Sequence, residues 1–314
     1  MSTSLHMDDL HEKHSVAYNS VLAAVALTTM KLVVGLLTGS LGILAEAAHS
    51  GLDLIAALFT LIAVRISSRP ADQEHLYGHG KIENLSALFE TLLLLATCVW
   101  ILYEAFRRLW LGKVVVEVTF WSFAVMFISI IVDFSRSRML ARAARKYNSQ
   151  ALEADALHFS TDIYSSAVVI LGLALVALSN AIPGMGTLHE ADALAAIIVA
   201  GIVIWISLRL GRRTVQALLD AAPEGLQRQI VEAVESLPGV VDCHRVRIRS
   251  SGPQSFVDAH ITVNGHKSLE SVHSLTDRIE ELVQSMIPGA DVTVHPEPLE
   301  RNQSFTQHKI KPQE

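Results

Sequence analysis

The chain has 314 residues, 51% of them hydrophobic and 18% charged, with 25 Lys and Arg against 31 Asp and Glu and a formal net charge of -6. A mean hydropathy of +0.38 is too apolar for an ordinary soluble domain and fits a membrane protein, while the acidic balance gives no basic surface for nucleic acid. The two cysteines, Cys98 in an apolar run and Cys243 in a polar one, support neither a disulfide framework nor a thiolate metal motif.

Residues 1–15 form a polar N-terminal segment without a cleavage-type signal peptide, so the first apolar run should be retained as a span. Six runs are long enough to cross a bilayer, which takes roughly 20 apolar residues. They cover about 16–37, 41–65, 84–106, 114–138, 155–178 and 191–211, inside a membrane domain of 16–214. Lys13, Arg65, Arg69, Lys81, Arg136, Arg138, Arg142, Arg145, Lys146, Arg209, Arg212 and Arg213 fall on one side if the spans alternate. The other side has the turn Thr38-Gly39-Ser40, the turn with Arg107, Arg108 and Lys113, and the loop at Pro183-Gly184. The positive-inside rule then predicts cytoplasmic termini, with Arg107 and Arg108 against the trend.

Composition changes at Asp220-Ala221-Ala222-Pro223, and residues 215–298 read as a second, cytoplasmic domain. Pro223-Glu224 suits a helix start, with the run continuing to Leu237 before Pro238-Gly239. Val246 and Ile248 alternate with Arg245, Arg247 and Arg249, and after Ser251-Gly252-Pro253 the residues Val257, Ala259, Ile261 and Val263 alternate with Asp258, His260 and Thr262. These are two paired strands. A helix from about Ser268 to Met286 and a strand from Asp291 to His295 complete an α-β-β-α-β order, a small two-layer α+β domain. The tail, 299–314, is polar and expected to be disordered.

Two apolar segments share one interruption: His49 with Asp53, and His158 with Asp162. At i, i+4 spacing each pair lies on one helix face, so two antiparallel helices can offer four ligands to one ion. The 1.5 Å rise per residue puts both aspartates roughly 18 Å from the ends of their spans, near the midplane. Ionisable groups inside spans are costly and usually functional. Two neutral imidazoles and two carboxylates balance a divalent charge, and two nitrogens with two oxygens suit Zn²⁺ better than Mg²⁺ or Ca²⁺. Asp155, one turn before His158, could draw cations toward the site, and Glu46 and Glu90 receive no role.

The stretches AEAAHSGLD (45–53), RPADQEHLYGHGKIENL (69–85), ADALHFSTD (154–162) and LLDAAP (218–223), with the whole C-terminal domain, resemble the cation diffusion facilitator family, which includes bacterial zinc and ferrous-iron efflux proteins. The resemblance implies a homodimer of six-span protomers in a bacterial inner membrane, with a metallochaperone-like cytoplasmic domain, exchanging metal for protons. By correspondence, Asp72, His75 and His79 form a peripheral loop site, and His244, His260, His273, His295 and Glu297 a cytoplasmic cluster. Lys81 and Asp220 match an intersubunit charge interlock. Many bacterial members have Asp where this chain has His49, so the resemblance points to zinc over iron or manganese.

The expected activity is therefore proton-coupled export of cytoplasmic Zn²⁺ by alternating access, with Zn²⁺ as substrate and regulatory ligand and protons as counter-ion. An intramembrane zinc hydrolase would need His-Glu-x-x-His. After His11-Glu12 the second position holds Ser15, and after His189-Glu190 it holds Ala193, so no enzyme is expected. The other rival is a membrane-anchored metal sensor, against which the intramembrane tetrad argues.

Overall fold

The computed structural model describes residues 2–111, 120–181 and 189–299. The chain divides into two compact units, Met1–Leu218 and Leu219–Glu314.

The first unit holds six long helices: α1 (Ser2–Thr38), α2 (Leu41–Ser67), α3 (Lys81–Leu111), α4 (Phe120–Lys146), α5 (Gln150–Ala181) and α6 (His189–Leu218). The polar N-terminal segment is not separate from the first span, because α1 is continuous from Ser2. Ser40 breaks the chain between α1 and α2 with extended backbone and accepts from the Ile43 amide at 3.4 Å, capping α2. Large apolar side chains point outward, with Leu37 82% and Trp100 67% exposed, whereas Ala24, Ala56, Ala57 and Ala87 are at most 2% exposed. Small residues at helix contacts under an apolar exterior are the packing expected where lipid is the solvent. Stretches of three helices, His11–Thr38, Glu46–Ser67 and Lys81–Tyr103, are long and apolar enough on their own to cross a membrane, among the described residues. The fourth helix is less apolar because Asp133, Arg136, Arg138, Arg142, Arg145 and Lys146 lie along it. The side chains of the C-terminal half of α5 and the loop at Pro183-Gly184 lie outside the described residues, as does the turn at Lys113.

The second unit runs α7 (Leu226–Glu235), β1 (Val240–Ser251), β2 (Gln254–Val263), α8 (Leu269–Met286) and β3 (Asp291–Pro298), the α-β-β-α-β order. Its sheet has the order β1-β2-β3, antiparallel between the first two strands and parallel between the last two. Ile230 and Val234 of α7, Ile261 of β2 and Leu275, Ile279 and Val283 of α8 are fully buried in one core. The first helix starts at Leu226 and not at Pro223, because Gly225 takes the left-handed conformation (φ 76°) just before it, and it ends at Glu235, short of Leu237. β3 continues past His295 to Pro298 because its parallel pairing with β2 runs on to the match of Val263 with Pro298. The tail expected from Leu299 lies outside the described residues beyond that position. Cys98 and Cys243 are both free and buried.

Candidate metal centres

In the helical unit, Asp53 is twelve residues from the start of α2 and Asp162 twelve from the start of α5, so both sit about 18 Å along their helices. The four side chains of the two pairs meet. His158 Nε2 lies 3.1 Å from Asp53 Oδ1 and 3.7 Å from Asp162 Oδ2, and His49 Nε2 lies 3.8 Å from Asp162 Oδ1 and 4.0 Å from Asp53 Oδ1. Each histidine therefore touches the carboxylate of its own helix and that of the other. Zinc–ligand bonds of about 2.0–2.1 Å in a tetrahedron separate neighbouring donors by roughly 3.3 Å. The observed separations bracket that edge. The His158 side chain is 6% exposed, Asp53 12% and Asp162 16%, while His49 is 40% exposed. The site is thus deep on the α5 side and open at His49.

Several charged groups of this unit lie inside the bundle, where the sequence suggested flanking positions or no role. Arg136 of α4 is 4% exposed; its guanidinium donates to Asp133 at 3.3 Å and Ser20 at 3.1 Å and covers the Phe159 ring at 3.5 Å. Ser20 in turn donates to Asp155 Oδ2 at 3.3 Å, so Asp155 is tied to α1. Glu90 is fully buried and accepts from Thr60. Lys13, expected as a flanking charge, is 4% exposed and pairs with the fully buried Glu83. Glu83 also accepts from Ser67 of α2 at 2.7 Å and from Ser149 in the turn before α5. Lys31, Asp133 and Glu83 received no role from the sequence. Each is a charge in or beside an apolar run, the criterion that flagged the tetrad, but none belongs to a repeated pair.

Asp72, His75 and His79 come together in the loop between α2 and α3, with His75 Nδ1 3.3 Å and His79 Nε2 3.2 Å from the Asp72 carboxylate. Gly78 makes this possible: at φ 74° its amide donates to the His75 carbonyl at 2.9 Å and folds the two histidines back, their rings 4.4 Å apart. Amide donation from His75, and then from Glu74, holds the Asp72 carboxyl below the usual range.

The C-terminal unit lines up three histidines across three strands. His244 of β1 pairs in register with His260 of β2, which pairs with His295 of β3. Glu297, two residues on and on the same face, bridges the row. Its carboxylate is 2.9 Å from His260 Nδ1, 3.4 Å from His244 Nε2 and 3.9 Å from His295 Nε2. The bond to His260 holds the Glu297 carboxyl below its ordinary range. His244 reaches this face only through a bulge. Between His244 and Arg247 the register shifts, with Arg245 at φ 50°, so that Cys243, Val246 and Ile248 face the core while His244 and Arg247 face away. Simple alternation would have put His244 with Val246. His273 is not brought to the row within the described chain; it is exposed on α8, 3.7 Å from Asp277. Lys81, at the start of α3, donates to the Leu218 carbonyl at 3.3 Å, and Asp220 has φ 59° just beyond α6.

Comparison with known proteins accounts for nearly the whole chain. Residues 17–219 match the cation efflux transmembrane domain and residues 222–299 the cytoplasmic domain of cation efflux proteins. Cation-efflux pump FieF of Yersinia enterocolitica is 32% identical over 89% of this chain and 92% of its own length, and that of Cronobacter sakazakii 33% identical over 92% and 95%. Among solved structures, the MamM CTD is 28% identical over 24% of this chain and 98% of its own, with a TM-score of 0.23. Matches to both halves, in order and over full-length relatives, make this chain a member of the cation diffusion facilitator family.

Proposed function

We propose that the chain, a membrane protein of a metal-efflux family, exports Zn²⁺ from the cytoplasm in exchange for protons, by alternating access at the tetrad. The observation that carries this reading is the meeting of His49, Asp53, His158 and Asp162 at equal depth in α2 and α5, with each histidine nitrogen 3.1–4.0 Å from both carboxylates. Two carboxylates balance a divalent ion, and two imidazoles favour zinc over harder ions. Metal binding needs deprotonated ligands, and histidine, with an ordinary pKa near 6.5, exchanges metal for protons around neutral pH. His49 and His158 would be ligands and proton carriers, Asp53 and Asp162 the charge-balancing ligands.

In the same reading the membrane domain spans 16–214 and the cytoplasmic domain 215–298, both termini face the cytoplasm, the membrane is the bacterial inner one, and two copies pair. The match of 222–299 to a cytoplasmic domain supports that orientation. His244, His260, His295 and Glu297 bind regulatory zinc, with His273 as a further ligand, and Asp72, His75 and His79 hold a peripheral ion. Lys81 and Asp220 form a charge pair between protomers. Iron, manganese or cadmium as principal cargo is the near alternative, since the relatives' name, cation-efflux pump, specifies no metal.

Proteoliposomes holding the full chain provide the test. With an acidic exterior relative to the cytoplasmic face, Zn²⁺ should move against the proton gradient, and collapse of that gradient should stop it. Binding without flux would leave the sensor reading, which the solvent-reached histidine row of the C-terminal unit favours.

A further inference from the structure

A buried cation lies close to the tetrad. Lys31 of α1 is 5% exposed, and its ammonium donates to Ser50 Oγ at 2.8 Å and Glu46 Oε2 at 3.2 Å. Ser50 follows His49 directly, and its carbonyl accepts from Thr28 at 3.0 Å, so α1 grips α2 at the turn that carries a tetrad ligand. Lys31 is seven residues before the end of α1 and His49 eight after the start of α2, which puts them about 10 Å and 12 Å from the turn joining the two helices. Lys31 is therefore level with His49, on the side of Asp53 nearer that turn. The two members of this ion pair differ in exposure: the Lys31 side chain is 6% exposed, while that of Glu46 is 54% exposed.

A fixed ammonium in a low-dielectric bundle repels a divalent ion nearby, and repulsion there is screened far less than in water. A binding site designed only to hold its cargo would have a neutral residue here. Export requires the ion to leave.

We propose that Lys31 sets the release affinity of the tetrad: its ammonium, held by Glu46 and Ser50, weakens divalent-metal binding and speeds departure toward the α1–α2 turn. The proposal rests on the export reading, in which that turn faces outward. It adds a determinant of affinity that is not itself a ligand.

The test uses the full-length protein. Zinc binding is measured by competition with a fluorescent chelator, each variant beside its Asp53→Asn counterpart so that the difference isolates the tetrad, and zinc flux is measured in proteoliposomes. Lys31→Met should tighten tetrad binding at least tenfold, about 1.4 kcal/mol, and lower turnover at saturating zinc. Lys31→Arg, which keeps the charge, should restore both toward the original values, and Thr28→Val, which loosens the grip and leaves the charge, should leave the binding constant within about twofold. Equal or weaker binding by Lys31→Met overturns the proposal, as does the same loss in the Met and Arg variants, which would mark Lys31 as a clamp. If Lys31→Met is not monodisperse, Lys31→Gln is read by the same criteria. An Asp53→Asn chain that binds as many zinc ions as tightly as the unaltered chain would count against the tetrad itself, a failure separate from that of Lys31.

Discussion

In the helical unit the side chains of His158, Asp53 and Asp162 are 6%, 12% and 16% exposed and His49 alone opens to 40%, whereas in the C-terminal unit His260, His244, Glu297 and His295 are 20%, 30%, 36% and 63% exposed. The ligand types are the same and the solvation is not. Carboxylates in a membrane interior cost several kcal/mol unless neutralised, so the tetrad always requires cations, whether metal or protons. The strand row can stand empty because water solvates it. One arrangement suits obligatory exchange, and the other suits sensing a concentration.

The largest expected effect is at the buried site. Asp53→Ala or Asp162→Ala should lower zinc flux at least about 100-fold, because each removes one of the charges that neutralise the ion. Size-exclusion behaviour should remain that of the original protein; near-normal flux in either variant would remove the tetrad from the mechanism.

The strand row can be broken at one residue. His244→Ala removes one imidazole from the row and leaves the bulge at Arg245 in place. Zinc titration of full-length protein lacking Asp53 and Asp162 should then show affinity of the C-terminal unit down by about tenfold or more, the scale of losing one ligand's contribution. Arg245→Gly should retain that affinity and change stability by no more than about 1 kcal/mol, since glycine adopts φ 50° without strain. Unchanged binding by His244→Ala would show that His244 is not a ligand.

A subtler change sharpens the contrast between the sites. His49→Asp should raise Cd²⁺ or Mn²⁺ flux relative to Zn²⁺ several-fold, because an oxygen replaces a nitrogen and the site gains negative charge. An unaltered ion ranking with flux intact would mean that His49 does not set the preference.

The smallest effect is one of pH. Glu297 has a depressed folded pKa, caused first by its bond to His260. Its stabilisation is therefore fully present above the ordinary glutamate value near 4.3 and is lost as pH falls through the lower folded value. Melting temperature of the metal-free protein followed through that acid range should fall less steeply in Glu297→Gln; identical slopes would contradict the bond to His260.

The tetrad was legible because helical geometry is local: His49 with Asp53 and His158 with Asp162 disclose a shared face from spacing alone, and equal depths follow from the rise per residue. The alternation of Val257, Ala259, Ile261 and Val263 similarly revealed β2. The face of His244 was not legible from spacing, since it depends on a bulge at Arg245 with no special residue to announce it. Gly225 shifted the start of α7 for a comparable reason, a single backbone dihedral. The internal roles of Arg136, Lys13 and Glu83 were hidden because basic and acidic residues near span ends are ordinarily anchors at the membrane surface, and only packing separates an anchor from an internal ion pair.

Glu83 carries a mechanical consequence. One carboxylate serves donors from α1, from α2 and from the turn before α5, while belonging itself to α3. No single one of these helices can tilt at that end without leaving a buried charge short of a partner, and breaking a buried pair costs about 3–5 kcal/mol. The node works as a keystone. Motion there is collective, four elements turning as one block, and hinge-like freedom belongs to the opposite ends, where α1 and α2 meet at Gly39 with its φ of 65°.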